Sequence, residues 1–320
     1  MPELPEVEVV RRGLEPHVLG RRIVQIDVLE PRSLRRQRGG AEHLRAVLLG
    51  QRFHALARRG KFLWARLEGA DGAETGEALL VHLGMSGQLR VRKPHEAVTA
   101  ADAASEGPAS DPLRHCRLSL HLDDGTRVDF VDQRIFGGLW TSDLAPTSDG
   151  HLAGLGSPDH LLPVDLAGIA RDVLDPAVDL PAVARRIRER RSAVKTLLLS
   201  QDVISGIGNI YADEALWAAR TRYDTPGEAL SQRRAHQILT EAAAVMRRAL
   251  AVGGTSFDAL YVNVDGRSGY FARSLNAYGK DGEPCSRCGK LMRRTVHQGR
   301  SSHFCPRCQR RRPAASHTSR

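Results

Sequence analysis

The stretch CSRCGKLMRRTVHQGRSSHFCPRC, residues 285–308, contains the most specific spacing pattern of this 320-residue chain. It consists of two Cys-x2-Cys pairs, Cys285 with Cys288 and Cys305 with Cys308, separated by sixteen residues. Each pair lets two thiolates reach one ion, and two pairs complete a tetrahedron with no open position. The spacing therefore predicts one structural zinc ion in a small hairpin that folds with its metal. Four unligated thiols or redox cysteines are the alternatives.

The sequence around these cysteines is strongly basic. Residues 267–320 contain thirteen basic and two acidic residues, whereas the whole chain has a net charge of +10. Nearly all of the excess positive charge lies in this segment, as expected of a surface that binds a polyanion. A rigid hairpin would direct the basic residues between the cysteine pairs toward phosphates. These residues are Lys290, Arg293, Arg294, His297 and Arg300. Zinc ribbons also mediate protein contacts, and the last arginines are equally consistent with a solvated tail.

The region before the zinc hairpin has the apolar periodicity of helices. Helices are predicted over Leu180–Arg191, Val194–Ser200, Ile210–Ala219 and Ser231–Val252. The Gly-rich turn Gly206–Asn209 permits close backbone approach, and the amides that open the next helix can bind a phosphate. A helix–turn–helix packing corner explains this short motif equally well.

The amino-terminal half has a β pattern behind one helix, predicted over residues 5–19. Strand-like stretches follow at Ile23–Leu29, Phe53–Leu67, Leu79–Leu83, Arg117–Leu122 and Thr126–Asp132. The Asp124-Gly125 turn and the alternating apolar residues around it predict a β-sandwich. The two inserts 69–77 and 97–112 are interpreted as loops without chemistry.

The amino end offers a second kind of chemistry. Met1 precedes Pro2, a small residue that normally permits removal of the initiator methionine, which leaves a secondary amine beside Glu3. Amines form Schiff bases, and an α-amino pKa of about 8 leaves a reactive fraction at neutral pH. The structural alternative is that Pro2 and Pro5 stiffen a helix start whose dipole favours Glu3 and Glu6. No run of 18 apolar residues and no signal peptide occur, so a soluble cytoplasmic protein is expected.

Taken together, these motifs resemble the bacterial formamidopyrimidine-DNA glycosylase family over nearly the whole chain. The matching segments, in family order, are Met1–Gly13, Arg58–Trp64, His82–Leu89, Asp132–Gly138, Gly206–Glu214, Gly253–Thr255, Gly269–Ala272 and Tyr278–Cys308. The resemblance implies an α+β fold with an N-terminal helix and β-sandwich, a helix-two-turn-helix domain and a zinc finger. It places these domains at residues 1–145, 166–268 and 269–312, with a linker at 146–165 and a disordered tail at 313–320.

The resemblance further implies a bifunctional DNA glycosylase and AP lyase that excises oxidised purines from duplex DNA, with DNA in the cleft between the lobes. Pro2 is similar to the family's nucleophile, Glu3 to its acid and Glu6 to a support for both. The residues implied to hold phosphates or other parts of the DNA are Lys61, Lys195, Asn209 and Arg300. Met85, Arg134 and Phe136 resemble the wedge that fills the space left by the flipped nucleotide. The resemblance also implies one structural zinc ion, no membrane association and a monomer associated with the bacterial nucleoid.

The chain departs from the family pattern in three places. Arg190 and Arg191 stand where lysines are common, and Ile135 stands where the common form has a second arginine. The insert 97–112 lies outside the pattern. An endonuclease VIII-type enzyme for oxidised pyrimidines is one alternative, although Leu4 favours the purine enzyme. A non-catalytic zinc-dependent DNA-binding protein is the other.

Overall fold

The computed structural model describes residues 2–94, 114–254 and 274–310. The chain divides into a first compact unit, residues 1–167 and 253–269, and a second, residues 168–252 and 270–320. The insert predicted over 97–112, the Gly269–Ala272 motif and the predicted tail at 313–320 lie outside the described residues.

Helix α1, Leu4–Val18, opens the first unit and agrees with the predicted helix to within one residue at each end. Pro5 lies in the first turn, where its missing N–H costs no helical hydrogen bond. Val7, Val10 and Leu14 recur at helical spacing and are buried in the core. The periodicity of these residues therefore determines which face of α1 packs against the sheets.

Two antiparallel sheets form the body of this unit, which confirms the predicted sandwich of β-sheets. One sheet has the strand order β1-β6-β7-β5 and the other β2-β3-β4-β8-β9. The strands are β1 (Ile23–Val28), β2 (Arg52–Arg59), β3 (Phe62–Glu68), β4 (Glu74–His82), β5 (Gln88–Arg92), β6 (Cys116–Leu122), β7 (Arg127–Val131), β8 (Gly138–Pro146) and β9 (Leu161–Pro163). Apolar residues from both sheets, from α1 and from α2 (Gly40–Leu48) share one core. A short 3-10 helix, Pro31–Leu34, lies between β1 and α2.

Some parts of the first unit differ from the sequence prediction. Residues 74–77, interpreted as loop, belong to β4, and β9 lies inside the stretch predicted as a linker. Helix α2 and strands β5 and β8 were not predicted, and the single predicted stretch Phe53–Leu67 is divided by a turn into β2 and β3. The Asp124-Gly125 turn is present, with Gly125 at a φ of 82°. Cys116, at the start of β6, is half-buried, and its Sγ lies 3.5 Å from Ser119 Oγ.

The second unit begins with helices, as the periodicity predicts. They are α3 (Leu180–Arg188), α4 (Val194–Leu199), α5 (Asn209–Ala218) and α6 (Gln232–Ala251). Asp179 caps α3 by accepting a hydrogen bond from Ala182 N at 2.9 Å, and the Ser231 side chain caps α6. The Gly-rich turn Gly206–Asn209 leads directly into α5.

The second unit ends in a zinc-finger hairpin, as predicted. Its antiparallel strands are β10 (Arg293–His297) and β11 (Arg300–Phe304). Gln298 and Gly299 form the two-residue turn with φ values of 47° and 73°, the positive values that such hairpin turns require. Among the described residues, no helix is long and apolar enough to cross a membrane.

Candidate active site and nucleic-acid interface

The residues at the amino end of α1 are buried in the first unit. Pro2 is buried, and Glu3 and Glu6 are only 1% and 2% exposed. The backbone N–H of Glu3 donates to Glu6 Oε2 at 2.9 Å, so the second carboxylate fixes the backbone of the first. Gly254 has a φ of 87°, and a Cβ there would approach Glu6 Oε1 to 3.2 Å. The structure thus brings the predicted Pro2, Glu3 and Glu6 together, with a glycine facing Glu6.

A buried ionic network beneath α1 was not predicted from the sequence. Glu8 accepts hydrogen bonds from Arg11 Nε at 3.0 Å, Arg12 Nε at 2.7 Å and Arg58 Nε at 3.0 Å. Burial disfavours the Glu8 carboxylate, but the hydrogen bond from Arg11 and the charge of Arg58 outweigh it and lower its pKa. Arg58 Nη1 also donates to Gly60 O at 3.0 Å. The network therefore ties α1 to the turn that precedes Lys61.

Lys61 lies in the turn between β2 and β3, close to other basic groups. The following residue, Phe62, pairs with His82 at the end of β4. Burial and the charges of Arg36 and Lys61 lower the pKa of His82 to about 4. Arg36 lies over the Trp140 ring at 4.8 Å from its centroid. The sequence prediction included Lys61 alone, whereas in the structure the charges of Arg36 and Arg35 act on the same histidine as Lys61.

The low pKa of His82 gives the first unit an acid-sensitive stability. Histidine in an unfolded chain has a pKa of about 6.5, so the unfolded state binds more protons between that pH and about 4. The free energy of unfolding should therefore fall as the pH falls through this window, by at most about 3 kcal/mol. Urea unfolding between pH 7 and about 4 measures the loss. His82→Gln should reduce it, whereas the exposed His151→Gln should not; equal slopes in all three proteins would contradict the assignment.

The predicted wedge residues lie on two loops that touch through their glycines. A Cβ at Gly84 would approach Gly137 N to 2.4 Å, and one at Gly137 would approach His82 O to 2.6 Å. Only glycine permits this backbone approach. Next to these glycines, Met85 is 43% exposed and Phe136 is 51% exposed. Arg134, also exposed, lies on the same loop as Phe136, so the structure brings the three predicted residues into one region.

In the second unit, the Gly-rich turn and the zinc hairpin meet. Asn209 Nδ2 donates to Ser301 Oγ at 3.3 Å, which places Asn209 beside the residue that follows Arg300. Gln201 braces the turn, because its Oε1 accepts from Gly206 N at 2.9 Å and its Nε2 donates to Ile207 O at 3.2 Å. The predicted phosphate-binding residues Asn209 and Arg300 are thus neighbours on one framework.

The structure places Lys195 differently from the prediction of a DNA contact. Its side chain is fully buried and donates to Asp213 Oδ1 at 2.6 Å, Ser301 O at 2.7 Å and Ser302 Oγ at 2.9 Å. The other carboxylate oxygen of Asp213 accepts from His303 N at 2.8 Å. The Lys195 ammonium therefore faces the interior and joins α4, α5 and the zinc hairpin.

Glu214 forms a second internal connection that sequence reasoning missed. Its Oε1 accepts hydrogen bonds from Ala277 N at 2.7 Å and Tyr278 N at 2.9 Å. Burial raises the pKa of Glu214, although the backbone N–H groups oppose this change. Glu214 ends the Gly206–Glu214 motif, but its partners lie more than sixty residues away in sequence. It fixes the chain where it enters the cysteine module.

The four predicted ligands form one cluster. All four Sγ atoms of Cys285, Cys288, Cys305 and Cys308 lie within 4.8 Å of one another. Zinc–sulfur bonds of about 2.3 Å in a tetrahedron require sulfurs about 3.8 Å apart, so the spacing fits. Four thiolates also leave no position for substrate. The cluster is therefore the site of one structural zinc ion, which would hold the turns on either side of β10 and β11.

Removal of one zinc ligand should unfold the hairpin. Cys288→Ser should release the metal and with it the folding free energy that binding supplies, on the order of 10 kcal/mol. Elemental analysis should find about one zinc per chain before the change and none after it. Cys116→Ser is the matched control. Cys116 lies outside the cluster, so the variant protein should keep its zinc. Freshly purified unaltered protein without zinc would contradict the assignment.

A β-sandwich unit, a helical unit with a braced Gly-rich turn and a basic zinc hairpin define a nucleic-acid-binding class of protein. Three family models match the chain. They are the formamidopyrimidine-DNA glycosylase N-terminal domain at residues 1–139, its H2TH domain at 169–260 and the zinc finger found in FPG and IleRS at 282–311. The chain belongs to the formamidopyrimidine-DNA glycosylase family.

Individual relatives agree with this assignment. The chain is 51% identical to the formamidopyrimidine-DNA glycosylase of Mycobacteroides abscessus, over 97% of this chain and 98% of that protein. It is 52% identical to the enzyme of the same name from a Nocardioides species, over 99% and 98%. The crystal structure of the MutM (FPG) protein from Thermus thermophilus aligns with a TM-score of 0.75 and 33% identity, over 98% of this chain and 100% of that one. A Lactococcus lactis FPG mutant in complex with Fapy-dG-containing DNA aligns with a TM-score of 0.76 and 28% identity, over 97% and 100%.

Proposed function

We propose that the chain excises oxidised purines, including 8-oxoguanine and formamidopyrimidines, from duplex DNA and then cleaves the abasic strand. It is a bifunctional DNA glycosylase and AP lyase of base excision repair. The observation that carries this proposal is the pair of buried carboxylates, Glu3 and Glu6, at the helix start beside Pro2. Relatives about half identical over nearly the full length, named for the same activity, support it.

The chemistry starts at the amine that Pro2 carries once Met1 is removed. The amine attacks C1′ of the damaged nucleotide, and the Glu3 carboxyl acts as the acid that helps the base leave and the sugar ring open. The iminium that results makes a C2′ proton acidic. Its loss expels the 3′ phosphate by β-elimination, and a further δ-elimination expels the 5′ phosphate. Glu6 holds the Glu3 backbone in place during these steps.

The target nucleotide must leave the base stack before its C1′ can be attacked. Met85, Arg134 and Phe136 form the wedge, since exposed apolar side chains and an arginine can fill the gap in the stack. Both loops that carry these residues are held backbone to backbone by Gly84 and Gly137. The wedge is therefore supported by rigid backbone contacts.

Extrusion strains the DNA backbone, so phosphates on both sides of the lesion must be held. Lys61 contributes from the first unit, and Asn209 and Arg300 contribute from the second. Lys195 supports Asn209 and Arg300 from inside the second unit.

The zinc ion has a structural role, and the enzyme acts as a monomer on bacterial nucleoid DNA. Residues 1–145, 166–268 and 269–312 are the three domains of this function, with residues 146–165 between the first two.

Borohydride trapping on a duplex with a single 8-oxoguanine tests the nucleophile, the lesion class and catalysis together. The unaltered protein should form a covalent complex and cleave the strand. Glu3→Gln should slow 8-oxoguanine excision far more than cleavage of a preformed abasic site, where the base has already left and the sugar opens unaided. Equal losses on both substrates would refute the role of Glu3. No trapped complex on any oxidised-purine duplex would refute the proposed function.

A further inference from the structure

The loop Asp132–Gly137 carries the wedge residues Arg134 and Phe136. The buried carboxylate of Asp132 holds this loop through hydrogen bonds. Asp132 is fully buried, and its Oδ2 accepts from Gly137 N at 2.8 Å. Its Oδ1 accepts from Arg134 N at 3.1 Å and from Ser86 Oγ at 2.6 Å. One side chain therefore fixes both ends of the loop and links it to the neighbouring loop that carries Met85.

The same loop contains a backbone conformation that its sequence disfavours. Ile135 has a φ of 55°, and it is the β-branched member of the three non-glycine residues with positive φ among those described. A β-branched side chain in this region costs on the order of 1–3 kcal/mol. Such a conformation persists only when surrounding contacts hold it. Asp132 binds amides on either side of Ile135, but not the carbonyl of Ile135 itself.

Arg35 binds the carbonyl groups of the same loop. Its Nη1 donates to Ile135 O at 2.9 Å and to Gly137 O at 3.1 Å, and its Nη2 donates to Phe136 O at 2.6 Å. Three successive carbonyls thus point at one guanidinium. A planar fork with several N–H groups can bind them together, which the single ammonium of lysine does not match. A Cβ at Gly138 would approach Ser33 O to 2.5 Å, so the segment that carries Arg35 packs closely on the start of β8.

We propose that Arg35 is a positioning residue for nucleotide extrusion. It holds the strained Ile135 conformation before DNA binds and so keeps Arg134 and Phe136 projected from the surface. This inference rests on the proposed wedge function of Met85, Arg134 and Phe136. Arg35 itself touches backbone carbonyls of the loop rather than the lesion, and the loop enters the duplex already ordered.

The first test compares two variants with the unaltered protein in single-turnover excision of 8-oxoguanine. Arg35→Lys keeps the charge but loses the fork, so excision should fall at least about tenfold. Cleavage of an abasic site in a single-stranded oligonucleotide, which has no stack to fill, should stay within about twofold. Arg32→Ala is the matched control, because Arg32 is exposed, pairs with Glu30 and should keep full activity.

A second substitution measures the strain directly. Ile135→Gly removes the steric cost of positive φ, so Arg35→Lys/Ile135→Gly should recover at least about fivefold of the lost excision rate. Normal excision by Arg35→Lys would overturn the inference, and so would a loss in Arg35→Lys that Ile135→Gly does not recover. Loss of about one unit from the salt slope of DNA binding in Arg35→Met but not in Arg35→Lys would also overturn it, because Arg35 would then contact a phosphate. Phe136→Ala distinguishes failure of the wedge proposal from failure of the role of Arg35. If Phe136→Ala keeps full excision activity, the wedge proposal fails. If Phe136→Ala loses excision activity and Arg35→Lys does not, only the role of Arg35 fails.

Discussion

Protein that retains Met1, or that carries an amino-terminal tag, is expected to lose all borohydride-trapped complex on an abasic duplex. In the processed protein the Pro2 nitrogen is a secondary amine whose lone pair can attack an aldehyde. When Met1 remains, the same nitrogen is part of an amide, and resonance removes that lone pair from reaction. Pro2 is also buried beside Glu3, so a tag would occupy the space around both residues. Loss should therefore be complete rather than partial.

A cleavable tag that leaves Pro2 as the first residue supplies the control. Cleavage should restore trapping to the level of the processed protein, while the zinc content and the affinity for undamaged duplex stay the same before and after. Pro2→Gly should keep an amine but lose the ring-held geometry, so both excision and abasic cleavage should fall. If the tagged protein trapped as efficiently as the processed one, Pro2 would not be the nucleophile. Lys61, in the turn tied to α1 through Arg58, would become the leading candidate.

Periodic patterns predicted the larger elements of the fold because each element buries one face. The spacing of Val7, Val10 and Leu14 predicted α1, and the alternation around Asp124-Gly125 predicted β6 and β7. Helix α2 escaped prediction since only Leu44 and Leu48 of its nine residues are buried. Strand β9 escaped for a similar reason, because three residues carry too short a pattern.

The candidate site was predictable only where its residues form a local motif. The cysteine pairs indicate their metal by spacing, and the amino end carries Pro2, Glu3 and Glu6 within five residues. By contrast, Arg35 meets its carbonyl partners about a hundred residues later, and nothing in its own neighbourhood indicates them. Lys195 follows the same rule. Its local sequence marks a basic residue near a turn, while its burial depends on partners from two distant segments.

Lys195→Met should destabilise the second unit by about 3–5 kcal/mol, the usual cost of removing one partner from a buried ion pair. Lys195 and Asp213 are both about 1% exposed, and their closest atoms are 2.6 Å apart. Without the ammonium, the Asp213 carboxylate stays buried against His303, and Ser301 O and Ser302 Oγ lose a donor. Hydrogen exchange should therefore rise in β10 and β11 and in the start of α5, but not in β2–β4 of the other unit.

The double variant Lys195→Met/Asp213→Leu decides whether the pair acts through stability. Replacing both partners with apolar residues of similar volume removes the unpaired charge, so it should recover much of the lost stability. Any DNA affinity that Lys195→Met loses should return in the double variant, because Asn209 beside Ser301 is then held in place again. A different result would support the DNA contact that the family resemblance implied for Lys195. If Lys195→Met leaves hydrogen exchange unchanged but lowers the salt slope of DNA binding by about one, its ammonium contacts a phosphate in the complex.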